Sequence, residues 1–446
     1  MWVSLIFGGL FIWIAPPLSG GDEHHHLRRA YEVATGYWVG NSVGPRGLYE
    51  FEEKGMEYVY AGMRDHHYKS EYFTALNAIE LQSDTRTVYR FMPSISAQFP
   101  LAHVLYFPAI AIGLAFELKP LTILYFCRGC GLLLATFLVT LAIRITPIGK
   151  WGMTAVALLP TAVFYRSFVH TDGLMLALAF LFIALILRFV CTSNHDAKNQ
   201  SKIIVISLLL APLKIAYYPL IALCLLIKRA QLAKPENYMR FLLGVIFAAA
   251  IPIGFWLGVI HQFGLSSTPY ETRMSAVINP SLQMDYILRH PLPYMKGLFD
   301  YLLSPSTLPM WIVSAFGELG WSQVFLSAPI YALILIYLAV ILYTEGRSSE
   351  INLSRQQRML VLGIFLLIPL LILTFVNIAF NPLGSVGFES FQGRYFLPIL
   401  PLLMLLFSSR PTTSKGIHIS LLTMTGSLLW LAVSVVTLYR FYGGWF

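Results

Sequence analysis

The chain has 446 residues, of which 57% are hydrophobic and only 12% are charged. Its mean hydropathy is +0.66, whereas a soluble domain carries about 25% charged residues. This composition excludes an ordinary soluble enzyme and predicts one polytopic membrane domain over residues 1–446. The net charge of +9 is therefore attributed to basic cytoplasmic loops, and no nucleic-acid partner is expected.

The first apolar segment, residues 1–18, is about long enough to cross a membrane. We favour a retained helix over a cleaved signal peptide, because the segment lacks a basic start and a small-residue cleavage site. Residues 19–98 are polar and carry 11 of the 22 acidic residues. This stretch is too long for a simple connector, so it is predicted to fold on the membrane surface. Within it, His26 to Ala34 has helical spacing, which ends at Gly36.

The four cysteines all fall in apolar segments, which predicts no disulfide framework. Cys127 and Cys130 lie inside an apolar helix, where small packing residues are favoured over a redox or zinc site. Several histidines near carboxylates allow a divalent metal ion, although their spacing fits no closed zinc motif. The sequence therefore allows a divalent metal ion as an optional cofactor.

Two later apolar segments are not predicted to be simple crossings. Residues 99–117 contain Pro108, and counting them as a crossing would invert every later loop, so they are predicted to be re-entrant or surface-lying. Residues 203–227 have basic residues at both ends and Lys214 in the middle, which predicts two half-helices with Lys214 near the outer tip.

The remaining apolar segments are assigned as crossings, and their loops follow the positive-inside rule. They are residues 121–143, 151–165, 173–190, 240–260, 325–343, 359–380, 396–406 and 417–438. Basic residues then collect on the cytoplasmic side, among them Arg144, Lys150, Lys198, Lys202, Arg347, Arg355, Arg410 and Lys415. The expected fold is an all-α bundle of about eleven crossings, with a long extracytoplasmic loop over 19–98 and a second one over 262–309.

The outer side gathers most of the unusual ionisable residues. These are Asp22, Glu23, the neighbouring histidines, Arg166, His170, Asp172, Lys214, Glu318 and Arg394. Ionisable groups at membrane depth are costly and by default mark a functional site. Simpler interpretations stay open: Asp22 and Glu23 as interfacial charges, Asp172 as the cap of the helix that follows it, and Arg394 as a side chain reaching the interface. Lys214 is favoured as functional because it lies where an apolar run is broken.

Several short motifs resemble the bacterial DUF2142 membrane proteins. The likeness begins with Asp22-Glu23-x-x-His26 followed by Arg29-Ala30, and His24 departs from it because that family often has proline there. It continues through Arg128, His170-Thr171-Asp172, Pro212-Leu213-Lys214-Ile215-Ala216-Tyr217, Gly317-Glu318-Leu319-Gly320-Trp321 and Gln392-Gly393-Arg394-Tyr395-Phe396. The arrangement is also similar to the GT-C superfamily of membrane glycosyltransferases, which place an acidic motif after the first helix and a second aspartate in a later outer turn.

The GT-C likeness implies an enzyme of the bacterial inner membrane with an extracytoplasmic active site. It would move a sugar from a polyprenyl-phosphate donor to an envelope glycan or lipid acceptor. The catalytic base would be Asp22, then Glu23, then Asp172, and Lys214 and Arg394 would stabilise the leaving phosphate. The other assignments are Tyr217 for the donor phosphate and His26, His170, Arg128 and Glu318 for acceptor or metal support.

Two other function classes remain as alternatives. A glycan polymerase would be expected to use arginine-rich outer loops, and the loop around Arg273 and Arg289 is only modestly basic. A transporter or flippase of lipid-linked saccharides would need ionisable groups near mid-membrane and often has inverted repeats. Here the acids cluster at one side and no internal repeat is evident, which favours the transferase.

Overall fold

The computed structural model describes residues 1–40, 43–83, 86–88, 93–192, 197–232, 234–265, 270–271, 277–348, 353–388, 390–407 and 418–443. Arg273, Arg410 and Lys415, which the sequence assigned to loops, lie outside these ranges. The described chain is mostly helical and has only short strands, which confirms the all-α class. Its α-helices are α1 (Trp2–Ile14), α2 (Glu23–Ala34), α3 (Arg46–Asp65), α4 (Ser70–Asn77), α5 (Pro93–Ser96), α6 (Phe107–Ala115), α7 (Pro120–Ile145), α8 (Lys150–Ala157), α9 (Pro160–Ser167), α10 (Asp172–Cys191), α11 (Ala197–Leu210), α12 (Tyr238–Gln262), α13 (Pro280–Arg289), α14 (Pro291–Leu303), α15 (Thr307–Phe316), α16 (Ala328–Ser348), α17 (Arg355–Phe380), α18 (Leu402–Leu406) and α19 (Ile419–Tyr442).

The remaining regular structure in the described ranges is short. The 3₁₀ segments are Pro100–Tyr106, Ile215–Leu226, Arg229–Gln231, Pro235–Asn237 and Gly393–Phe396. The strands form three antiparallel pairs: β1 (Val43–Pro45) with β2 (Arg86–Val88), β3 (Tyr270–Glu271) with β4 (Val277–Ile278), and β5 (Glu318–Leu319) with β6 (Val324–Phe325). In the first pair Val43 lies opposite Val88, so β1 and β2 join the two halves of the first loop.

Among the described residues, six helical segments are long and apolar enough to cross a membrane. They are Pro120–Ile145, Asp172–Cys191, Pro235–Gln262, Ala328–Arg347, Arg355–Phe380 and Ile419–Tyr442. Shorter apolar segments are Trp2–Ile14, Pro100–Ala115, Ile215–Leu226 and Thr307–Phe316. The sequence therefore located the long helices correctly, while several predicted crossings are shorter or interrupted.

Prolines explain where the predicted segments are interrupted. α1 has 13 residues, about 20 Å at the usual helical rise, and ends at Ile14 because Pro16 and Pro17 follow. Segment 151–165 is divided into α8 and α9 because Pro160 cannot supply a helical N–H donor. Pro398 and Pro401 lie within segment 396–406, of which only α18 is a regular α-helix.

Arg166 satisfies the backbone at the α8–α9 break. Its side chain is buried, and its Nε donates to the Ala162 carbonyl at 3.0 Å while a terminal nitrogen donates to the Ala157 carbonyl. Ala157 is the last residue of α8, and a carbonyl at a helix end has no partner within the helix and needs another donor. Arg166, which the sequence placed among the outer ionisable residues, therefore stabilises a broken helix.

The predicted break at Lys214 is confirmed. α11 ends at Leu210, and the chain continues after Lys214 as the 3₁₀ segment Ile215–Leu226. Pro219 lies inside that second segment, where it cannot donate the hydrogen bond that an α-helix requires. Lys214 itself has extended backbone angles, so its side chain leaves the helical path at the break.

Residues 99–117 begin and end against the same loop. At the start, Arg29 of α2 donates to the Gln98 carbonyl at 3.4 Å. At the end, Ser83 donates to Glu117 at 2.9 Å, and Lys119 donates to the Asn77 carbonyl at 3.0 Å. α6, the α-helical part of this segment, has nine residues, about 14 Å at the usual rise.

α10 is the central helix of the bundle. In its most apolar window, 83% of the residues are buried inside the protein, because α7, α9 and α11 pack around it. A helix that is apolar on every face is expected to be enclosed in this way. α10 begins at Asp172, so its first residue is fixed with respect to most of the bundle.

Candidate functional site

Asp172 lies at the centre of a cluster of charged side chains. Its Oδ2 accepts a hydrogen bond from Arg394 Nε at 2.8 Å, and its Oδ1 accepts one from Lys214 Nζ. The three residues come from the start of α10, the break after α11 and the 3₁₀ segment Gly393–Phe396. The sequence predicted all three as site residues, and the fold brings them into direct contact.

Two tyrosines surround the cations. The Arg394 guanidinium lies 4.1 Å from the centre of the Tyr165 ring and donates from a terminal nitrogen to the Tyr165 hydroxyl. Lys214 Nζ lies 4.7 Å from the centre of the Tyr395 ring. An aromatic face attracts a cation and can replace part of its hydration. The side chain of Lys214 is 25% exposed, against 8% for Arg394, so Lys214 is the more accessible cation.

A small pocket adjoins this cluster. Asp172, Arg394, Tyr165 and Tyr217 form its polar part. Its apolar part is formed by Ala162, Gly173, Leu176, Leu397 and Pro398. The Tyr217 hydroxyl donates a hydrogen bond to the Tyr395 carbonyl at 2.7 Å, so its O–H group is engaged within the protein.

Three histidines lie in a row beside Asp172. His170 Nδ1 accepts a hydrogen bond from the Asp172 backbone N–H at 3.1 Å. The ring of His26 lies 4.4 Å from that of His170, and its Nδ1 is 3.1 Å from Nε2 of His103. Burial lowers the pKa of His170 well below its ordinary value and that of His26 to about 3, with Asp172 acting in the opposite direction. Both imidazoles are therefore neutral at pH 7.

Glu23 is buried in a second cluster, together with Arg128. The Glu23 carboxylate accepts hydrogen bonds from Arg128 Nε at 2.8 Å and from a terminal Arg128 nitrogen at 2.7 Å. It also accepts from the backbone N–H groups of Val169 at 3.2 Å and Gly20 at 3.4 Å. Both side chains have an exposed fraction of 0%. Because a carboxylate has about four acceptor sites, Glu23 is fully engaged within the fold.

The other N–H donors of Arg128 bond backbone carbonyls at the end of α1. It donates to the carbonyls of Ile12 at 3.4 Å, Ala15 at 3.1 Å and Pro16 at 2.8 Å. With the two bonds to Glu23, these contacts engage all five N–H donors of the guanidinium. A cation at the carboxyl end of a helix also complements the helix dipole. Arg128 was predicted to support the acceptor or a metal, but its donors are all used to join α1, α7 and the turn before α2.

Asp22 is exposed and lies immediately before Glu23. Its backbone is in the left-handed region with φ 53°, which is uncommon for residues other than glycine. A Cβ atom at the preceding Gly21 would lie 3.7 Å from the Tyr165 hydroxyl and 3.8 Å from the Gly320 carbonyl. The Asp22 turn is thus next to the Tyr165–Arg394 side of the cluster.

Glu318 lies two residues before Gly320, whose carbonyl is near that turn. It begins the β5–β6 hairpin, which contacts α9 and α15 and also contains Gly320. Trp321 follows in the hairpin, and its ring lies 5.2 Å from that of His24. Glu318 is half-buried and interacts electrostatically with Tyr165 and Arg394. The structure therefore also places Glu318 beside the cluster.

Some residues of this region were not found by sequence reasoning. Tyr165 and Tyr395 contact the cations, and His103 contacts His26, yet each lies in an apolar stretch where its chemistry is ordinary. The sequence did single out His24 and His25, but the partner was missed: ligand atoms of His24, His25 and Glu52 all lie within 4.8 Å of one another. Glu52 follows His25 by 27 residues, and a separation of that length does not indicate a contact.

Comparison with known proteins identifies a family. The DUF2142 family, described as predicted membrane proteins, matches residues 5–403, which is most of the chain. Neither the curated proteins nor the solved structures include a significant match. On the strength of the family match, the chain belongs to the DUF2142 family of membrane proteins.

Proposed function

We propose that the protein is a membrane glycosyltransferase of GT-C type. It transfers a sugar from a polyprenyl-phosphate donor to a cell-envelope glycan or lipid acceptor. The observation that carries the proposal is the contact of Lys214 and Arg394 with the single carboxylate of Asp172, beside a pocket. Two cations and one carboxylate leave a net charge of +1, which suits an anionic group.

The leaving group is the reason for assigning the cations to the donor. In the transfer, the acceptor hydroxyl oxygen bonds to the anomeric carbon, and the bond from that carbon to the phosphate oxygen breaks. The phosphate leaves with the bonding electron pair, so its negative charge increases in the transition state. Fixed cations at that position stabilise the transition state more than the bound donor. Lys214, the more exposed cation, is suited to contact the phosphate directly.

Asp172 is assigned to holding the two cations rather than to proton transfer. Its two oxygens are each hydrogen-bonded to a cation, Arg394 on one and Lys214 on the other. Hydrogen bonds from cations favour the ionised carboxylate and make it a weak base. Tyr217, whose hydroxyl bonds the Tyr395 carbonyl, is assigned to positioning Tyr395 beside Lys214.

Asp22 is assigned as the general base that takes the acceptor proton. Of the two acids in the Asp22-Glu23 pair, Glu23 is fully buried and saturated by Arg128 and backbone N–H groups. Asp22 is exposed, and its neighbour Gly21 lies against Tyr165. A left-handed backbone at a residue other than glycine costs about 1–3 kcal/mol and persists only where the surroundings enforce it. The Glu23–Arg128 pair supplies that enforcement one residue away.

The pocket supports a lipid-linked donor over a free sugar. Its polar side, at Asp172 and Arg394, suits contact with a phosphate, and the adjoining apolar side, formed in part by Leu176 and Leu397, suits contact with a lipid chain. His170 lies beside Asp172 and His26 beside His170, and these neutral imidazoles are suited to orient an acceptor hydroxyl. Glu318 is assigned to the same acceptor side.

We place this site at the extracytoplasmic face of a bacterial cytoplasmic membrane. The basis is the positive-inside rule applied to the loops, with about eleven crossings when the shorter and broken apolar segments are counted. The first loop, 19–98, and the second, 262–309, then lie outside. Supporting this topology, both ends of segment 99–117 contact the first loop.

Sugar transfer by the purified protein is the direct test. The protein in detergent or nanodiscs is incubated with a short-chain polyprenyl-phosphate sugar and envelope lipid acceptors, and products are identified by mass spectrometry. The expected result is acceptor glycosylation and release of polyprenyl phosphate. Donor binding without release, together with movement of the donor across proteoliposomes, would instead indicate a flippase. Formation of repeating saccharides would indicate a polymerase.

A further inference from the structure

A second group of chemically suited side chains lies at the start of α2 and on α3, outside the Asp172 cluster. His24 and His25 of α2 and Glu52 of α3 each offer a ligand atom, and these atoms lie within 4.8 Å of one another. We propose that these three residues bind a divalent transition-metal ion, with Zn²⁺ as the best match. Two imidazoles and one carboxylate form a known three-ligand zinc set that leaves a fourth position open.

The arrangement of the two imidazoles supports a common ligand. Successive residues of an α-helix point about 100° apart, so adjacent side chains normally diverge. Here the rings of His24 and His25 converge, with centroids 3.7 Å apart and planes 36° apart. His24 is buried and His25 is half-buried, so an ion held between them would be partly shielded from water.

Glu52 is oriented by a neighbour that is not itself a ligand. Arg28 Nε donates to Glu52 Oε2 at 2.9 Å, and a terminal nitrogen of Arg28 donates to Oε1. A carboxylate has about four acceptor sites, so these two hydrogen bonds leave sites for a metal ion. Metal-binding carboxylates are commonly hydrogen-bonded by an outer partner in this way, which fixes their direction.

Aromatic side chains enclose the histidine side of the site. The Trp321 ring lies 5.2 Å from that of His24, and the Tyr60 ring lies 6.0 Å from that of Trp321. These contacts bring the β5–β6 hairpin against the start of α2, and Tyr60 of α3 against that hairpin. A metal bound by His24, His25 and Glu52 would therefore join α2 to α3 and fix the segment that begins at Asp22.

The proposed ion is separate from the Asp172 cluster. His26, the next residue of α2, turns to His103 and His170 instead. The metal site is therefore tested by metal binding rather than by activity, and the metal proposal does not depend on the transferase proposal.

The test uses the tag-free, full-length protein after treatment with a chelator and dialysis. Isothermal titration with Zn²⁺ and elemental analysis after gel filtration should give one ion per chain. His25→Ala and Glu52→Gln should each weaken Zn²⁺ binding at least 10-fold. The matched controls are His67→Ala and Glu53→Gln, which change exposed residues of the same loop and should bind Zn²⁺ as the wild type does.

Two results would overturn the proposal. One is wild-type protein that takes up less than one Zn²⁺ per chain at micromolar free metal. The other is a His25→Ala/Glu52→Gln double variant that binds Zn²⁺ as tightly as the wild type. Should a variant fail to fold, X-ray absorption of the Zn²⁺-loaded wild type decides: two imidazole ligands are expected, and a first shell without imidazole would reject the site.

Discussion

Nε of Arg394 lies 2.8 Å from Oδ2 of Asp172, although 222 residues separate them in the chain. Lys214 reaches the other oxygen of the same carboxylate from a separate break in the helices. Ion pairs between distant segments fix the relative positions of α10, the α11 break and the segment at Gly393–Phe396. The contact thus places two cations at one pocket, which is the basis for the first prediction.

Replacing either cation should weaken binding of the lipid-phosphate donor more than it affects folding. A hydrogen bond to a charged group contributes about 1.5–3 kcal/mol, so Lys214→Met and Arg394→Met should each lower affinity roughly 10- to 100-fold. Arg394→Lys keeps the charge but loses the planar geometry and should be intermediate. Affinity is measured with a polyprenyl-phosphate analogue, with Lys202→Met, an exposed lysine at the start of α11, as the control. Wild-type affinity in both methionine variants would exclude a donor role.

The Glu23–Arg128 pair should matter for stability more than for turnover. Removing one partner of a buried ion pair typically costs about 3–5 kcal/mol because the other charge stays buried. Glu23→Gln should therefore lower the melting temperature in detergent clearly, whereas Glu53→Gln, at an exposed position of α3, should leave it nearly unchanged. A Glu23→Gln protein with wild-type melting temperature and no turnover would move Glu23 into the chemistry.

Stability should fall as the pH is lowered below about 6.5. Burial lowers the pKa of His26 to about 3 and that of His170 well below the ordinary value, while both titrate near 6.5 when unfolded. Between pH 6.5 and 3 the unfolded chain therefore binds protons that the folded chain does not. The loss is about 1.4 kcal/mol per pH unit for each histidine, and stability is fully retained above 6.5.

The measurement is the melting temperature between pH 7.5 and 5. His26→Gln should reduce the pH dependence, and His67→Gln, at an exposed position, should not. A melting temperature that is the same at pH 7.5 and pH 5, or an unchanged slope in His26→Gln, would show that His26 does not contribute.

The sequence predicted the residues of the Asp172 cluster, but it did not predict that Glu23 pairs with Arg128. Asp172, Lys214 and Arg394 were identifiable because a charge at the break of an apolar run has few structural explanations. Glu23 and Arg128 were singled out too, yet their mutual contact was not foreseen, because partner choice depends on how α1, α7 and the turn before α2 pack. The hydropathy of the sequence does not show which side chains pair, since the segments concerned are apolar on most sides.

The same limit explains the errors in helix length. The apolar segments 1–18 and 151–165 are longer than the helices that they contain, because prolines divide or end the helices there. A composition-based estimate counts such residues as part of one crossing. The two-part structure at Lys214 was predictable because basic residues at both ends required the chain to turn back.

The proposed topology can be tested by labelling. A cysteine at Ser70, an exposed residue of the first loop, should react with a membrane-impermeant maleimide added to whole cells or spheroplasts. A cysteine at Ser201, an exposed residue of α11 assigned to the cytoplasmic side, should react only after permeabilisation. The reverse labelling pattern would place the Asp172 cluster on the cytoplasmic side and would contradict an acceptor on the extracytoplasmic side.

The last prediction concerns Asp22 as the general base. Asp22→Asn keeps the size and most of the hydrogen bonding of the side chain but cannot take the acceptor's proton. General-base catalysis contributes typically about 10²–10⁴-fold, so turnover should fall by that factor while donor affinity and melting temperature are retained. Asp65→Asn, an exposed aspartate in the same loop, serves as the control and should be active.

Kinetics distinguish this role from a structural one. If Asp22 is the base, the Asp22→Asn loss should appear in kcat with little change in KM for the donor, because the interaction exists only in the transition state. If Asp22 only shapes the turn before α2, Asp22→Gly should restore turnover, since glycine adopts φ 53° without strain. Near-normal kcat in Asp22→Asn would reject Asp22. The base would then have to be sought at Asp172, where Asp172→Asn would also release Lys214 and Arg394 and weaken donor binding at the same time.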